Sequence, residues 1–323
     1  MAKRKYQTEC GVHMFAPDPT VVQPDDFERS WFASHATQNP CHVYMICSRP
    51  RIAFDLPSFT FHDGLMSGRL LVQLPDGNAE VWFQTPTKHA DPSRLRSPYP
   101  HTQLHFLDTN GAMATGMKAQ AFLQSLAFGK QLRDQEDAAH LHLKVLYVGQ
   151  AYGNDGSRQA TDRLMAHETL QKVYGEIIAS EPHKEVWLAL LCFREPMLLM
   201  SIEGRNDVEF LASAEEEEVH LVKVSESGVS WHQKINFAEA SLIRYFKPPY
   251  NTMFKKTFPS PVHKTYSECY DLDLNAVSIE LQTDRTLLHF FSDHMPPQSV
   301  HLQTYPLHSR SLRRSMFDDV FDE

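Results

Sequence analysis

Two basic side chains, Arg163 and His167, stand four residues apart in a polar stretch that the sequence predicts to be helical. At this spacing they lie one turn apart on the same face of the helix. A guanidinium binds phosphate oxygens through a fork of donors, and an imidazole orients or deprotonates a neighbouring group. The pair therefore suits phosphate chemistry, and it equally fits the solvated face of an amphipathic helix.

Glu239 lies at the edge of the apolar stripe of a second predicted helix, residues 237–246, which ends before Pro248 and Pro249. A carboxylate in this position is either a charge favoured by the helix dipole or a ligand for a divalent metal. Taken alone, the residue leaves both interpretations open.

Tyr147 lies in the apolar stretch 141–149, which predicts a strand buried on both faces. A tyrosine in such a strand is most often a core aromatic residue, and Asn251 after two prolines is most often a turn residue. Neither residue identifies a function by itself, so the order and spacing of all five residues carry the argument.

Taken in chain order, three blocks of the sequence resemble motifs of the GIY-YIG nuclease family. Residues 147–149, Tyr-Val-Gly, resemble the second half of the motif that names the family. Residues 163–167, Arg-Leu-Met-Ala-His, resemble its RLxxxH-type helix, and residues 239–251 resemble its glutamate helix and terminal asparagine. The resemblance covers residues 140–258.

The resemblance implies a metal-dependent endonuclease that hydrolyses phosphodiester bonds in DNA, with RNA left open as a substrate. It implies that Glu239 binds Mg²⁺ or another divalent metal such as Mn²⁺. It implies further that Tyr147 acts on the nucleophilic water, that Arg163 contacts the scissile phosphate, and that His167 and Asn251 support the site. The long loop before Arg163 resembles the restriction-enzyme branch of the family, which points to restriction or phage defence.

One element of the family pattern is missing from its usual place. Members of the family have a Gly-Ile-Tyr-like strand shortly before the Tyr-Ile-Gly element, whereas residues 133–140 contain no tyrosine. The first strand lies further upstream, or its tyrosine is replaced, or the site is impaired. The sequence offers Tyr152, Lys144 and His142 as replacements and does not choose among them.

Two other functions stay open beside the nuclease. An impaired site predicts a nucleic-acid-binding or assembly subunit of a larger complex, and a third interpretation is a purely structural α+β module. The net charge of −9 argues weakly against non-specific nucleic-acid binding. A local basic patch of Arg244, Lys247, Lys255 and Lys256, with no acidic residue in between, is predicted to hold the nucleic-acid backbone.

The predicted fold is α+β, with a small mixed β-sheet flanked by helices and with β-rich N- and C-terminal flanking regions. Residues 1–130 are predicted as the N-terminal β-rich region and 131–258 as the GIY-YIG-like nuclease domain. Residues 259–323 are predicted as a C-terminal extension that packs on the N-terminal region.

Three local elements are predicted with defined positions. Residues 70–84 read as a β-hairpin with an Asp-Gly turn, and residues 117–128 read as a helix that ends at Gly129. The valines of residues 219–224 favour a strand.

Composition suggests a cytoplasmic protein. Hydrophobic residues make up 42% of the 323 residues and charged residues 22%, values typical of a folded globular chain. No apolar run approaches the ~20 residues that cross a bilayer, and the basic N-terminus has no apolar core behind it, so we expect no membrane partner and no secretory signal. The five scattered cysteines have no CxxC spacing and are expected to be free thiols. A homo-oligomer or a larger complex stays open.

Overall fold

Strands and helices are mixed along the chain, and strands predominate, which confirms the predicted α+β class. The structure, a computed structural model, describes residues 2–29, 32, 34, 38–87, 92–151, 168–227, 229–260, 267–309, 313 and 316 of the 323-residue chain.

The elements are numbered in chain order. The strands are β1 (Ala2–Arg4), β2 (Thr8–Pro17), β3 (Thr20–Val22), β4 (Val43–Pro50), β5 (Ile52–Phe54), β6 (Thr60–His62), β7 (Leu65–Leu74), β8 (Gly77–Pro86), β9 (Leu95–Arg96), β10 (Gln103–Leu107), β11 (Met113–Lys118), β12 (Leu143–Gln150), β13 (Lys184–Leu191), β14 (Met197–Ile202), β15 (Val208–Phe210), β16 (Ala276–Gln282), β17 (Phe290–Phe291) and β18 (Val300–Pro306). The helices are α1 (Ala119–Phe128), α2 (Glu168–Ser180), α3 (Ala214–Ser227), α4 (Trp231–Phe246) and α5 (Glu268–Asp271). In the ranges that the structure describes, no helix has the length and apolar character needed to cross a bilayer.

The central sheet joins five strands in the order β17-β12-β4-β13-β3. β4 runs antiparallel to both of its neighbours, β12 and β13, whereas β17 runs parallel to β12. β4 and β13 are buried along almost their whole length, because both faces of the sheet are covered. The centre of this sheet therefore comes from the region that the sequence assigns to the N-terminal flank.

Helices cover the two faces of the central sheet. On one face, Leu170, Val173 and Ile177 of α2 form a core cluster with Tyr44 of β4. On the other face, α1 and α4 share the main core with β4 residues such as Met45. Because alternate residues of a strand point to opposite faces, Tyr44 faces α2 and Met45 faces α4.

Residues 51–142, which connect β4 to its partner β12, form two small sheets and α1. One sheet has the order β5-β7-β6 with β8 paired to β7, and the other has the order β11-β10-β9. The predicted hairpin is present, with Leu74 opposite Gly77. Its two-residue turn is Pro75 and Asp76 rather than the predicted Asp-Gly turn, because Gly77 is already paired as the first residue of β8. Gly77 opens β8 with φ of 139°, a conformation that favours glycine.

A second sheet joins the two ends of the chain in the order β14-β2-β16-β18. β2 pairs in parallel with β16, so strands from the N- and C-terminal flanks are hydrogen-bonded neighbours. Beside this sheet the buried guanidinium of Arg313 contacts Glu9 at 2.6 Å and Asp273 at 2.7 Å. These contacts hold Arg313 against β2.

The strand predicted at residues 219–224 is wrong, because these residues lie in α3. The alternation of valines with polar residues gave them a strand-like pattern. Three glutamates occupy the first turn of the helix, where the dipole favours negative charge. One of them, Glu217, accepts hydrogen bonds from the backbone N–H groups of Gln7 and Thr8, which ties α3 to the start of β2.

The expectation of five free thiols is also wrong, because Cys41 and Cys192 form a disulfide. Cys41 lies just before β4 and Cys192 just after β13, and the pairing of Val43 with Leu191 brings the two ends together. The 151-residue separation hides this neighbourhood in the sequence. The remaining cysteines, Cys10, Cys47 and Cys269, are free and buried.

We predict that the Cys41→Ser, Cys192→Ser double variant loses about 2–4 kcal/mol of unfolding free energy, because the disulfide closes a long loop in the unfolded chain. Urea unfolding of the two proteins under non-reducing conditions measures the loss. A thiol titration that counts five free thiols in the denatured, non-reduced wild type would contradict the bond.

Candidate active site

Asn251 binds the edge of β12 with both ends of its side-chain amide. Oδ1 accepts a hydrogen bond from the N–H of Val148 at 2.9 Å, and Nδ2 donates one to the carbonyl of Val148 at 2.8 Å. An amide side chain has the donor and acceptor of a peptide group, so Asn251 pairs with the strand much as a neighbouring strand does. The N–H of Tyr250 donates to the carbonyl of Leu146 at 3.1 Å. The segment after α4 is thus fixed to β12.

Two tyrosines converge on the residue after Val148. Tyr147 and Tyr44 have ring centroids 6.3 Å apart, and Tyr44 lies opposite Gly149 in the pairing of β4 with β12. A Cβ added to Gly149 would lie 2.7 Å from the Tyr44 hydroxyl oxygen and 2.7 Å from Cε1 of the Tyr147 ring. Position 149 therefore needs a glycine because both aromatic side chains pass over it.

Tyr44 is the site residue that the sequence-based prediction missed. Tyr44 follows the β-branched Val43 at the start of β4. Its proximity to Tyr147 is hidden in the sequence because residues 51–142 separate the two strands, which are adjacent in space.

The replacement candidates lie elsewhere or are not described. Lys144 pairs with Ser48, at the other end of β12, and its amine contacts Asp293 at 2.6 Å. His142 stacks on His289 with ring centroids 4.6 Å apart, and burial lowers its pKa to about 4. Tyr152 lies outside the described residues.

Glu239 approaches the same end of β12 from α4. Its Oε2 accepts a hydrogen bond at 2.9 Å from the side-chain amide of Gln150, the last residue of the strand. The same amide donates to Oδ1 of Asn236 at 2.5 Å. Asn236 and Glu239 are three residues apart on α4 and so share one helix face.

Two oxygen donors lie close together at this end of α4. The carboxylate of Glu239 and the amide oxygen of Asn236 are hard ligands of the kind that Mg²⁺ and Mn²⁺ prefer, and both accept a hydrogen bond from the amide nitrogen of Gln150. His232, one turn before Asn236, lies close enough for the Asn236 amide to donate to its Nδ1 at 3.4 Å. These residues fit a hard divalent cation better than a thiolate-preferring metal.

The tyrosines and Glu239 come from opposite faces of the sheet. Tyr147 pairs with Ile46 and Gln150 pairs with Val43, and these two positions of β4 face opposite ways. The two tyrosines and the contact of Glu239 with Gln150 therefore lie near the same end of β12 but on opposite faces of the sheet. The structure brings Tyr147, Glu239 and Asn251 to this end, as expected of a common site, while Arg163 and His167 lie outside the described residues.

The predicted basic patch lies at the C-terminal end of α4 and in the segment that follows. Arg244 donates from Nη1 to the carbonyl of Lys255 at 2.6 Å, which folds the segment back on the helix. Lys247 caps α4 with φ of 48° and is exposed, as is Lys256. Lys247, Lys255 and Lys256 therefore lie at the end of α4 and in the segment that Asn251 fixes to β12.

Comparison of the chain with models of protein families, with curated proteins and with solved structures gives no match.

We predict that Gly149→Ala lowers the free energy of unfolding by about 1–3 kcal/mol, because the new methyl group overlaps Tyr44 and Tyr147. Urea unfolding measures the change. Gly175→Ala is the matched control, since its Cβ meets nothing within 4 Å and its position in α2 predicts a gain of up to about 1 kcal/mol. Equal stability of the two variants would show that the tyrosines do not pack over Gly149.

Proposed function

We propose that the chain is a metal-dependent endonuclease with a GIY-YIG-like core that hydrolyses phosphodiester bonds in DNA. The observation that carries the proposal is the convergence of Tyr44 and Tyr147 over Gly149, beside the contact of Glu239 with Gln150. Two tyrosines on adjacent antiparallel strands supply what the sequence lacked in residues 133–140. The proposed core consists of β12, β4 and β13 with α2 and α4.

The proposed reaction is attack of water on phosphorus with departure of one ester oxygen. A divalent cation held by Glu239 would supply positive charge for the phosphate and the leaving oxygen. The side-chain amide of Gln150 orients the carboxylate of Glu239 through a hydrogen bond of 2.9 Å. Asn236 holds the same amide through a hydrogen bond of 2.5 Å to its Oδ1. Asn251 fixes the backbone at Val148 and thereby the position of Tyr147.

The tyrosines are proposed to position the attacking water and take up its proton. A phenol with an ordinary pKa of about 10 is a weak base at neutral pH, so it needs nearby positive charge. In this proposal Arg163 supplies that charge and binds the scissile phosphate, and His167 assists proton transfer. The lysines of the basic patch hold the DNA backbone without reading sequence. Restriction or defence against phage is the class of role that this activity suits.

A nucleic-acid-binding or assembly subunit without cleavage activity is the second candidate. Within this candidate, the net charge of −9 favours the assembly role over nucleic-acid binding, because the protein as a whole repels phosphate. The other argument for it is the missing tyrosine, and against that argument Tyr44 beside Tyr147 supports the nuclease proposal.

We expect Glu239→Gln to abolish Mg²⁺-dependent nicking of plasmid DNA, by about a hundredfold or more, because a neutral amide is a poor ligand for a hard cation. DNA binding and melting temperature should stay close to wild type. Glu218→Gln is the matched control, since it removes an exposed carboxylate of α3 and should keep full activity. Retained nicking in Glu239→Gln, with only a small drop in melting temperature, would reduce the role of this carboxylate to a helix charge.

Tyr44→Phe separates the hydroxyl of Tyr44 from its ring. The ring keeps its packing over Gly149, so the variant should fold, while nicking should fall by about 10²–10⁴ if the hydroxyl serves in proton transfer. Lys144→Gln, at the other end of β12, should leave nicking unchanged. Full activity of Tyr44→Phe would assign Tyr44 to the core alone.

A further inference from the structure

β14 is an edge strand with an apolar and uncharged sequence. Within the described ranges it pairs with β2 alone, and residues 197–202 read Met-Leu-Leu-Met-Ser-Ile. The side chains of Met197, Leu198, Met200 and Ile202 are exposed, and the exposed fraction of Met200 is 53%. An exposed edge strand without charges is a ready template for pairing with a further strand.

The hydrogen bonds of the sheet show which amides of β14 face the open edge. The N–H of Glu203 donates to the carbonyl of Gln7 at 2.9 Å, so these residues form a hydrogen-bonded pair of the β14-β2 ladder. Because such pairs alternate with non-hydrogen-bonded pairs in an antiparallel ladder, the odd-numbered residues of β14 bond to β2. In agreement, the carbonyl of Cys10, opposite Met200, accepts from the N–H of Asn275 at the start of β16. The amides of even-numbered β14 residues therefore point away from β2.

Two of these outward amides lack a partner. In the part of the chain that the structure describes, the backbone groups of Leu198 and Met200 make no hydrogen bond at the open edge. Their side chains lie on the core side of the sheet, since Leu198 is opposite Val12 and Met200 opposite Cys10. Leu198 lines a cleft there together with Val224 of α3. A strand added at this edge would pair with both amides and cover both side chains.

We propose that this edge is a homodimer interface, in which β14 pairs antiparallel with β14 of a second copy. Leu198 lies opposite Met200 of the second copy, and Met200 lies opposite its Leu198. Each such pair exchanges two N–H···O bonds, so every outward amide of these residues gains a partner. The two-fold axis passes beside Leu199, and two four-stranded sheets join into one continuous sheet.

A second copy fits this edge because the strand is compatible with itself. An interface around a two-fold axis uses the same surface on both chains and closes with two of them. β14 carries no charge, so no like charges oppose each other within the pair. The next residue, Glu203, is neutralised by Arg205 at 2.7 Å. β18, the other edge of this sheet, is less suited because it is more polar and ends in Pro306, which has no N–H donor.

Sedimentation equilibrium of the full chain over a concentration series tests the proposal. One strand from each copy makes a small interface, so we expect a monomer–dimer equilibrium with a Kd of about 1–100 µM. A monomer at all concentrations up to about 500 µM would overturn the proposal. Growth beyond the dimer would overturn it too, because the two-fold pairing closes.

Met200→Pro removes an outward N–H without breaking a bond of the β14-β2 ladder, so the variant should fold and stay monomeric. Leu302→Pro is the matched control in β18. Its amide also points to an open edge, because Ser299 and Leu307 are the residues that bond across to the β16 side, and its exposed fraction is 48%. Leu302→Pro should dimerise as wild type. Dimerisation of Met200→Pro, or its loss in Leu302→Pro, would refute the assignment to β14.

Leu199→Cys tests the register and still decides if a proline variant does not fold. The two Leu199 positions form a non-hydrogen-bonded pair across the axis, with Cα atoms about 4.5 Å apart, a distance that a disulfide spans. Oxidised glutathione should therefore convert Leu199→Cys into a covalent dimer and release reduced glutathione. Ser201→Cys is the matched control, since its two copies lie about 13 Å apart and should not cross-link. Equal cross-linking of both variants, or of neither, would contradict the pairing.

Discussion

The pairing of β4 with β12 is the constraint on which the proposed site depends. Its register places Tyr44 opposite Gly149, and a slip by one residue would turn Tyr44 to the other face of the sheet. Two further contacts hold this end of the pair. The disulfide between Cys41 and Cys192 joins the segment just before β4 to the residue just after β13. Asn251 pairs with the other edge of β12 at Val148. Fixed on both sides, the strand end has little freedom to move the aromatic pair.

Residues of β4 lie on both faces of the central sheet. Because alternate residues of a strand point to opposite faces, Tyr44 lies on the face of α2, at the end of β12, while Arg49 lies on the face beside α1. β4 is buried along almost its whole length.

Elements whose information is local were predictable from the sequence. The hairpin of β7 and β8 carries its own turn, and α1 ends where Gly129 follows an apolar helical stretch. The resemblance assigns Tyr147, Arg163, His167, Glu239 and Asn251 to one site. Of these, Tyr147, Glu239 and Asn251 lie near the end of β12, and Arg163 and His167 lie outside the described residues, so the common site stays a prediction. The pattern of α3 misled because its valines alternate, while the helix is favoured by acidic residues in its first turn and by contacts of Glu217 with β2.

What the sequence hid is long-range. Residues 51–142 separate Tyr44 from its neighbour Tyr147 in the sequence. The same residues, together with β12, α2 and β13, separate Cys41 from Cys192. Neither partnership leaves a periodic signal, because register between distant strands is set by the whole sheet.

The proposed hydrolysis of phosphodiester bonds requires a divalent cation bound by Glu239 at the end of β12. Crystals soaked in Mn²⁺ test it directly, because Mn²⁺ scatters anomalously and takes the same oxygen ligands as Mg²⁺. We expect an anomalous peak about 2.0–2.3 Å from a carboxylate oxygen of Glu239, within reach of Tyr147 through a bound water. Manganese bound only elsewhere, with the Glu239 carboxylate still accepting its hydrogen bond from Gln150, would rule out this metal site.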